Sequence, residues 1–420
     1  MTPEVPDASA DGASPLGGLL IADFSRVLAG PLATMFLADL GATVIKVERP
    51  DVGDDTRAWG PPYVGSMSTY YASVNRNKRS LVLDLQDPGD RQLAHRLAAR
   101  ADVMVENFRP GKLAEHGLGA ETLLELNPGL VYCSISGFGS GVGAELPGYD
   151  FLVQAVGGLM SITGMPEAQP TKVGVALVDV LTGLHATIAI LAALHERTSS
   201  GRGQHVEVNL MSSLLASMVN QGTAYINGGG TPVAMGNQHP SIAPYETLAT
   251  ADGVLAVAIG NDRQFAALAE AVGRPGLARD PLYATNHDRV VNRSALAIDL
   301  EAALSIRTAL EWTEHLRSRG LPCGPVNDIA QAIEFAAELG LDPIVALARP
   351  GLDRPIATLA NPLRLHRTPV RYLSPPPTLG ADTDELRTWL TEPSNAESCS
   401  AAADTASTRS ISPEHTGATS

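Results

Sequence analysis

Apolar runs of strand length alternate with runs of helical spacing through the first half of this 420-residue chain, and that order constrains the fold most. "GLLIADFS" reads as a buried strand. "PLATMFLADLG" follows as a helix, with Pro31 in its first turn and Gly41 near its end. "ATVIKVERP" and "SLVLDLQ" are further strands. Asp87 then stands where a helix cap belongs, with Pro88 at the first position of "PGDRQLAHRLAARA". "DVMVENF" and "GLVYCSISGFG" continue the alternation, and "GQHVEVNLMSSLLASMV" adds a strand that feeds a helix. Repeated β-α-β units at this spacing predict an α/β fold with a doubly wound parallel sheet. Such sheets bind ligands beyond the carboxyl ends of their strands. Polar residues stand at those ends: Ser25 and Arg26, Glu48 and Arg49, Asn107 to Arg109, Ser136 and Gly137.

The texture changes after about residue 221. "INGGGTPVAMGNQHPS" reads as a glycine-rich loop and "APYETLATADGVLAVAIGN" as a hairpin, with amphipathic helices near 262–272, 292–304 and 308–320. The expected organisation is a disordered start over 1–16, a large domain from 17–222 together with 328–392, a smaller α+β domain over 223–327, and a disordered Ser/Ala/Thr/Glu-rich tail over 393–420. A net charge of −15 argues against nucleic acid and anionic membranes as partners, so an anionic ligand needs a local cluster of Arg and Lys. Cys133, Cys323 and Cys399 are too few and too scattered for a disulfide framework or a zinc site, which fits reduced thiols in a cytoplasmic protein. The first residues lack the basic and apolar regions of a signal peptide.

"VGVALVDVLTGLHATIAILAAL" holds a single charged residue, Asp179, in an otherwise apolar segment. The length suits a membrane span, but Asp179, Thr182, Gly183, His185 and Thr187 favour a buried strand-then-helix reading. Helical spacing begins just after Asp179, with Gly183, Ala186, Ile190 and Ala193 on one face. That places Asp179 at a helix N-terminus, where it is either a simple N-cap or an anion favoured by the free amides and the dipole. The first βα turn, "DFSRVLAGP", lacks G-x-G-x-x-G, so a nicotinamide or flavin loses its main support. "SGFGSGVG" has the glycines, but no helix with an apolar face follows it.

Several stretches, in order, resemble the family III CoA-transferases, the group of formyl-CoA transferase, carnitine CoA-transferase and α-methylacyl-CoA racemase. They are "DFSRVLAGPLATMFLADLGATVIKVERPDVGDDTR", "NRNKRSLVLDL", "ADVMVENFRPG", "GYDFLVQAVGGLMSITG", "GQHVEVNLMSSLLA" and "RGLPCGPVND". The resemblance spans about 17–392. It implies a Rossmann-like large domain built from both ends of the chain, a small domain, and an interlocked homodimer. It also implies acyl-CoA and a carboxylic acid as substrates, with no tightly bound cofactor and no metal. The aspartate that carries the covalent intermediate in these enzymes falls on Asp179. The CoA-binding positions fall on Leu28, Ala29, Arg49, Asn75, Lys78, Asn107, Phe108 and Arg109, with Arg79 a further cation for the phosphates. Where some members carry an Arg after "ENFRPG", this chain has Glu115 and His116. Where formyl-CoA transferase has a glycine run that closes over its intermediate, this chain reads "MGNQHPS". Gly236, Gln238 and His239 there, with Gly137 and Gly139, are the candidates for substrate or oxyanion contacts.

The racemases of this group use a His just before the Asp of "GYD", and Tyr149 stands there in this chain. A phenol with a pKa near 10 is a poor partner for two-base proton exchange, so the residue points to CoA transfer. Tyr149 and Asp150 are alternatively structural, holding the turn before "FLVQAVGGLM". The expected reaction is transfer of CoA from an acyl-CoA, such as succinyl-CoA, to a carboxylic acid. A dicarboxylate is preferred, its distal group bound by Lys172, Arg57 or His239. An α-methylacyl-CoA racemase and a non-catalytic acyl-CoA-binding protein are the alternatives.

Overall fold

The computed structural model describes residues 14–392. The expected disorder of residues 1–13 and of the tail 393–420, and Cys399, lie outside the described residues. Residues 14–16, expected to be disordered, instead enter a turn in which the Leu16 amide donates to the Leu40 carbonyl at 3.0 Å.

Six parallel strands form the central sheet: β1 (Leu20–Asp23), β2 (Thr43–Glu48), β3 (Lys78–Val82), β4 (Val103–Glu106), β5 (Val131–Ser136) and β6 (His205–Asn209). Their order is β3-β2-β1-β4-β5-β6. The chain winds one way from β1 to β3 and the other way from β4 to β6, so the order reverses between β1 and β4. The sequence alternation that predicted these strands holds because the inner strands β1, β2 and β4 are buried along nearly their whole length, whereas β6 at the edge is partly exposed. Leu20, Ala22 and Phe24 face the helix α2 (Pro88–Arg100) and the C-terminal helix Thr383–Thr391, whose Leu386, Trp389 and Leu390 join the same core. The other face receives α1 (Ala29–Asp39) and the long helix from Leu177 to Ser200. Asp87 accepts from the Asp90 amide and Pro88 opens α2, as the sequence predicts.

Three helices complete the frame of the site: α3 (Ala120–Leu126), α4 (Asp150–Val156) and α5 (Leu177–Ser200). Val178, Thr182, Gly183, Ala186, Thr187, Ile190, Ala193 and Leu194 form the buried stripe of α5. A Cβ on Gly183 would stand 2.6 Å from the Ala29 carbonyl oxygen, so the glycine is what lets α5 lie against α1. At its far end α5 is pinned: Arg197 pairs with Asp102 at 2.9 Å, and Asp102 also accepts the Leu20 amide at the start of β1.

The chain divides into two compact units. Among the described residues the first comprises 14–153, 176–217 and 344–392, and the second 154–175 and 218–343. The C-terminal segment returns to the first unit, and the boundaries are not those expected. Residues 154–175, 218–222 and 328–343, expected in the large domain, belong to the second unit. The first segment closes on itself, the Val173 amide donating to Gln154 at 2.9 Å, and is tied to residue 236 through the Gly164 carbonyl. The amphipathic helix Ile329–Glu338 within the last segment buries no residue fully.

The second unit is α+β. Strands β7 (Tyr245–Ala249), β8 (Val254–Ala258) and β9 (Cys323–Pro325) form an antiparallel sheet of order β9-β8-β7. Helices α6 (Asp262–Ala271), α7 (Arg293–Leu304) and α8 (Ala309–Arg317) cover it, with Leu255, Phe265, Leu300 and Trp312 in the core. The hairpin and the three amphipathic helices read from the sequence are these elements.

Candidate active site

Two cavities open at the carboxyl end of the sheet, where the strand order reverses. The smaller, about 270 Å3, is lined by the loop after β1, by the loop after β4, by Ser136 to Gly139 beyond β5, and by Tyr149 and Asp179. The larger, about 650 Å3, lies outside β2 and β3 and is lined by Arg49, Leu83, Lys112, Glu115 and His116 among others. Arg26, Phe108, Arg109 and Pro110 belong to both.

Asp179 is the third residue of α5, half-buried in the smaller cavity. It is not an N-cap: Ala176 holds that position and has no capping side chain of its own. The amides at the helix start are taken by Asp150, whose Oδ1 accepts from Val178 at 2.7 Å and from Asp179 at 3.2 Å. Asp150 is thus structural, one of the alternatives raised by the sequence. Burial first, then the Asp150 carboxylate, push the Asp179 carboxyl up to about 7. The reading in which free amides at the helix start favour the Asp179 anion is therefore corrected, because those amides serve the Asp150 carboxylate. Tyr70, unflagged in the sequence, lies near enough that burial, Asp179, Asp150 and Asp54 raise its phenol to about 12, so it stays protonated.

The loop after β1 is held from several sides. Asn107 spans the Arg26 backbone, its Oδ1 accepting at 2.8 Å and its Nδ2 donating at 2.7 Å. Val27, a β-branched residue, adopts φ 70°, a strained conformation, and its amide faces Asp54. Asp54 in turn pairs with the buried Lys46 at 2.9 Å. The result presents Arg26, Leu28 and Ala29 to the smaller cavity, and the Arg26 guanidinium sits 4.8 Å over the Phe108 ring. Arg26 was noted only as a polar strand end. Its place on the wall shared by both cavities follows from the β1–β4 pairing, which a single segment does not reveal.

Several expected contacts are brought to the cavities: Leu28, Ala29, Asn107, Phe108, Arg109, Gly137, Gly139 and Tyr149 to the smaller one, Arg49 to the larger. Others are not. Asn75 and Lys78 are buried, and the Lys78 amine is occupied by Asp23, the Pro31 carbonyl and Asn75 at 2.9–3.0 Å. A cation drawn inward to neutralise a buried carboxylate has no donor left for phosphate. Arg79 is bound to Asp382 and Glu385, and Arg57 to Glu48 and Tyr71, so neither is an open anion site. The Asn107 amide is spent on the Arg26 backbone, which makes it a clamp. The Gly139 amide donates to Ser136 at 3.0 Å and is no oxyanion donor. Gly137 packs against Gly148, where a Cβ on either would meet the other's Cα at 2.3–2.5 Å. Gly236, Gln238 and His239 belong to the second unit with Lys172, and their amides are engaged by Gly164, Met235 and Tyr245 carbonyls. The Gln238 side chain holds Glu246 at 3.0 Å. Cys133 is buried and its thiol is raised to about 12 by burial and Glu106, so it offers no thiolate. Among the described residues no group of three or more His, Cys, Asp or Glu is placed to hold a metal ion.

A model of the family described as CoA-transferase family III matches residues 16–383. The chain belongs to CoA-transferase family III. Within that family it is 42% identical over 384 residues to the succinate–glutarate CoA-transferase of Agrobacterium fabrum, covering 87% of this chain and 93% of that one. It is 40% identical over 382 residues to human succinyl-CoA:glutarate CoA-transferase, with 91% and 87% covered. A crystal structure of a CAIB/BAIF family protein from Brucella suis superposes with a TM-score of 0.80 at 40% identity, covering 90% of this chain and all of that one.

Proposed function

We propose that this family III CoA-transferase moves CoA from succinyl-CoA to a dicarboxylic acid such as glutarate, with Asp179 as the covalent carrier. The carrying observation is the placement of Asp179: a half-buried carboxylate in a cavity that shares a wall with a larger, Arg- and Lys-bordered one. The two glutarate CoA-transferases above, similar over most of their length, support the substrate class.

In this reading the larger cavity takes the nucleotide end of CoA, with Arg109 facing its phosphates and the more exposed Arg49 and Lys112 exchanging their partners Asp55 and Glu115 for phosphate. The pantetheine arm passes Phe108 and brings the thioester to Asp179. An Asp179 oxygen attacks the thioester carbonyl; the C–S bond breaks and CoA leaves as a thiolate, giving a mixed anhydride. The thiolate attacks the Asp179 carbonyl carbon, the donor leaves as a carboxylate, and an aspartyl-CoA thioester forms. The acceptor carboxylate attacks that carbonyl and expels the thiolate, which then takes the acyl group of the new anhydride and frees Asp179. No bond is hydrolysed, so water must be excluded, and the apolar first turns of α5 help to do so. A carboxylate raised to about 7 is more basic and more nucleophilic than an ordinary one, yet about half ionised at neutral pH. Arg26 lines the Asp179 cavity and is not assigned to the CoA phosphates, so it replaces Arg57 and Lys172 as the group for a distal carboxylate.

Succinyl-CoA offered with a panel of mono- and dicarboxylic acids tests this. New thioesters of the dicarboxylic acids are expected by mass spectrometry, and Asp179→Asn should reduce turnover by at least about a thousandfold. Unchanged turnover in that variant, or α-proton exchange into an α-methylacyl-CoA with no acceptor present, overturns the reading.

A further inference from the structure

One buried acid takes no part in the chemistry above. Glu106 ends β4, directly before the loop of Asn107, Phe108 and Arg109. Its Oε2 accepts the Phe108 amide at 2.8 Å, and its carboxyl is hydrogen-bonded to the Ser134 side chain on the neighbouring strand β5. The Ser134 hydroxyl lies 3.0 Å from Nε2 of His205, an exposed residue on β6. These groups line a third cavity of about 140 Å3, on which Phe108 and Arg109 also lie. The surrounding titratable and charged groups are Tyr132 and Cys133 on β5, His205 and Glu207 on β6, and Arg109 on the loop. Residues 111–120 contribute only Gly111, Leu113, Ala114, Gly119 and Ala120 to this wall. No cation pairs with Glu106 among the described residues, so burial dominates and raises its carboxyl to about 7, against the opposing bonds from Ser134 and Phe108.

We propose that Glu106 is a positioning residue: through its bond to the Phe108 amide, its ionisation sets how firmly the loop walling both larger cavities is held, and Ser134 and His205 connect it to solvent. When Glu106 is ionised, the Phe108 N–H bonds to a charged acceptor and the loop is held more tightly. On acidification one proton is taken up at the carboxylate, the acceptor becomes neutral and the hold weakens. Ser134 passes that proton by accepting one on its oxygen while releasing the other, and the His205 ring exchanges it with water. The consequence for CoA binding rests on the functional reading above; the behaviour of the Phe108 amide does not.

The experiment has two arms. In protein labelled with 15N-phenylalanine, which carries seven such residues, the Phe108 amide proton is followed from pH 5.5 to 8.5. It should move downfield through a midpoint near 7 in the wild type and stay still in Glu106→Gln. A static amide in the wild type, or the same titration in the variant, overturns the proposal whether or not the protein transfers CoA. Should Glu106→Gln not fold, Ser134→Ala replaces it: losing a bond that favours the charged form moves the midpoint upward, and an unmoved midpoint overturns the proposal. In the second arm, affinity for a non-hydrolysable CoA thioether is measured across the same range in Asp179→Asn, alone and combined with Glu106→Gln. Titration of the CoA phosphates is common to both. The single variant should lose about threefold to tenfold more affinity on acidification than the double variant. Equal pH dependence overturns the proposal. A titrating amide in a protein that binds no CoA overturns the functional reading and leaves the Glu106 chain standing.

Discussion

Asp150 does two things to Asp179, and they can be separated. Its Oδ1 fastens the first amides of α5, and its charge raises the neighbouring carboxyl. Asp150→Asn keeps an oxygen for the amides and removes the charge. The acid limb of kcat/KM for the acyl-CoA, set by Asp179 near pH 7, should move to lower pH, because a nearby negative charge no longer opposes ionisation. Asp150→Ala should shift the limb similarly and also lower stability by about 1 kcal/mol, through loss of the cap. A pH–rate profile and a denaturant curve on each variant decide the matter; an acid limb that stays put in Asp150→Asn contradicts the charge effect. This pairing was out of reach of the sequence, since the two residues lie 29 apart and meet only through the packing of α4 and α5. The lone acid drew notice because an uncompensated charge in an apolar segment is rare, but a catalytic role for it came only from the family resemblance. The burial of Lys78 was not legible. Lys78 begins a strand whose side chains alternate between faces, and its inward direction depends on Asp23 waiting two strands away.

At the scale of elements, the βα alternation carried the sheet, its capped α2 and the hairpin of the second unit, because each depends on local periodicity and turn chemistry. The unit boundaries escaped because they depend on which core a segment joins. Residues 154–175 sit between two elements of the first unit yet fold onto themselves. The contact of α1 with α5 gives the sharpest test at this scale. Gly183→Ala places a methyl 2.6 Å from the Ala29 carbonyl oxygen and 3.3 Å from the Leu32 side chain, both too close, so the helices must part. Overpacking of this kind costs about 1–3 kcal/mol, read as a lowered Tm. Because Ala29 lines the Asp179 cavity, the KM for the acyl-CoA should rise in the same variant. A stable Gly183→Ala with wild-type KM argues that the helices are loosely packed there.

Several large apolar side chains are exposed among the described residues. In the second unit Ile226, Ile329 and Leu339 are each more than half exposed, and the helix from Ile329 to Glu338 leaves its apolar side uncovered. Patches of this kind mark association surfaces. We propose the homodimer that the family resemblance implies, and light scattering after gel filtration should return about twice the chain mass of 43.9 kDa. An active species of single-chain mass contradicts it.

The pinning of α5 has a mechanical consequence. Asp179 and Arg197 are 18 residues apart on one rigid rod, about 27 Å at the rise of an α-helix. The Arg197–Asp102 bond fixes that rod where β1 begins, at the amino end of the sheet, opposite the end at which the two larger cavities open. A tilt of about 2° there sweeps the far tip through about 1 Å, enough to slow a positioned nucleophile on the order of a hundredfold. In the proposed reaction the aim of the Asp179 oxygen is thus set from the other end of α5, by a partly buried ion pair that lines neither of the two larger cavities.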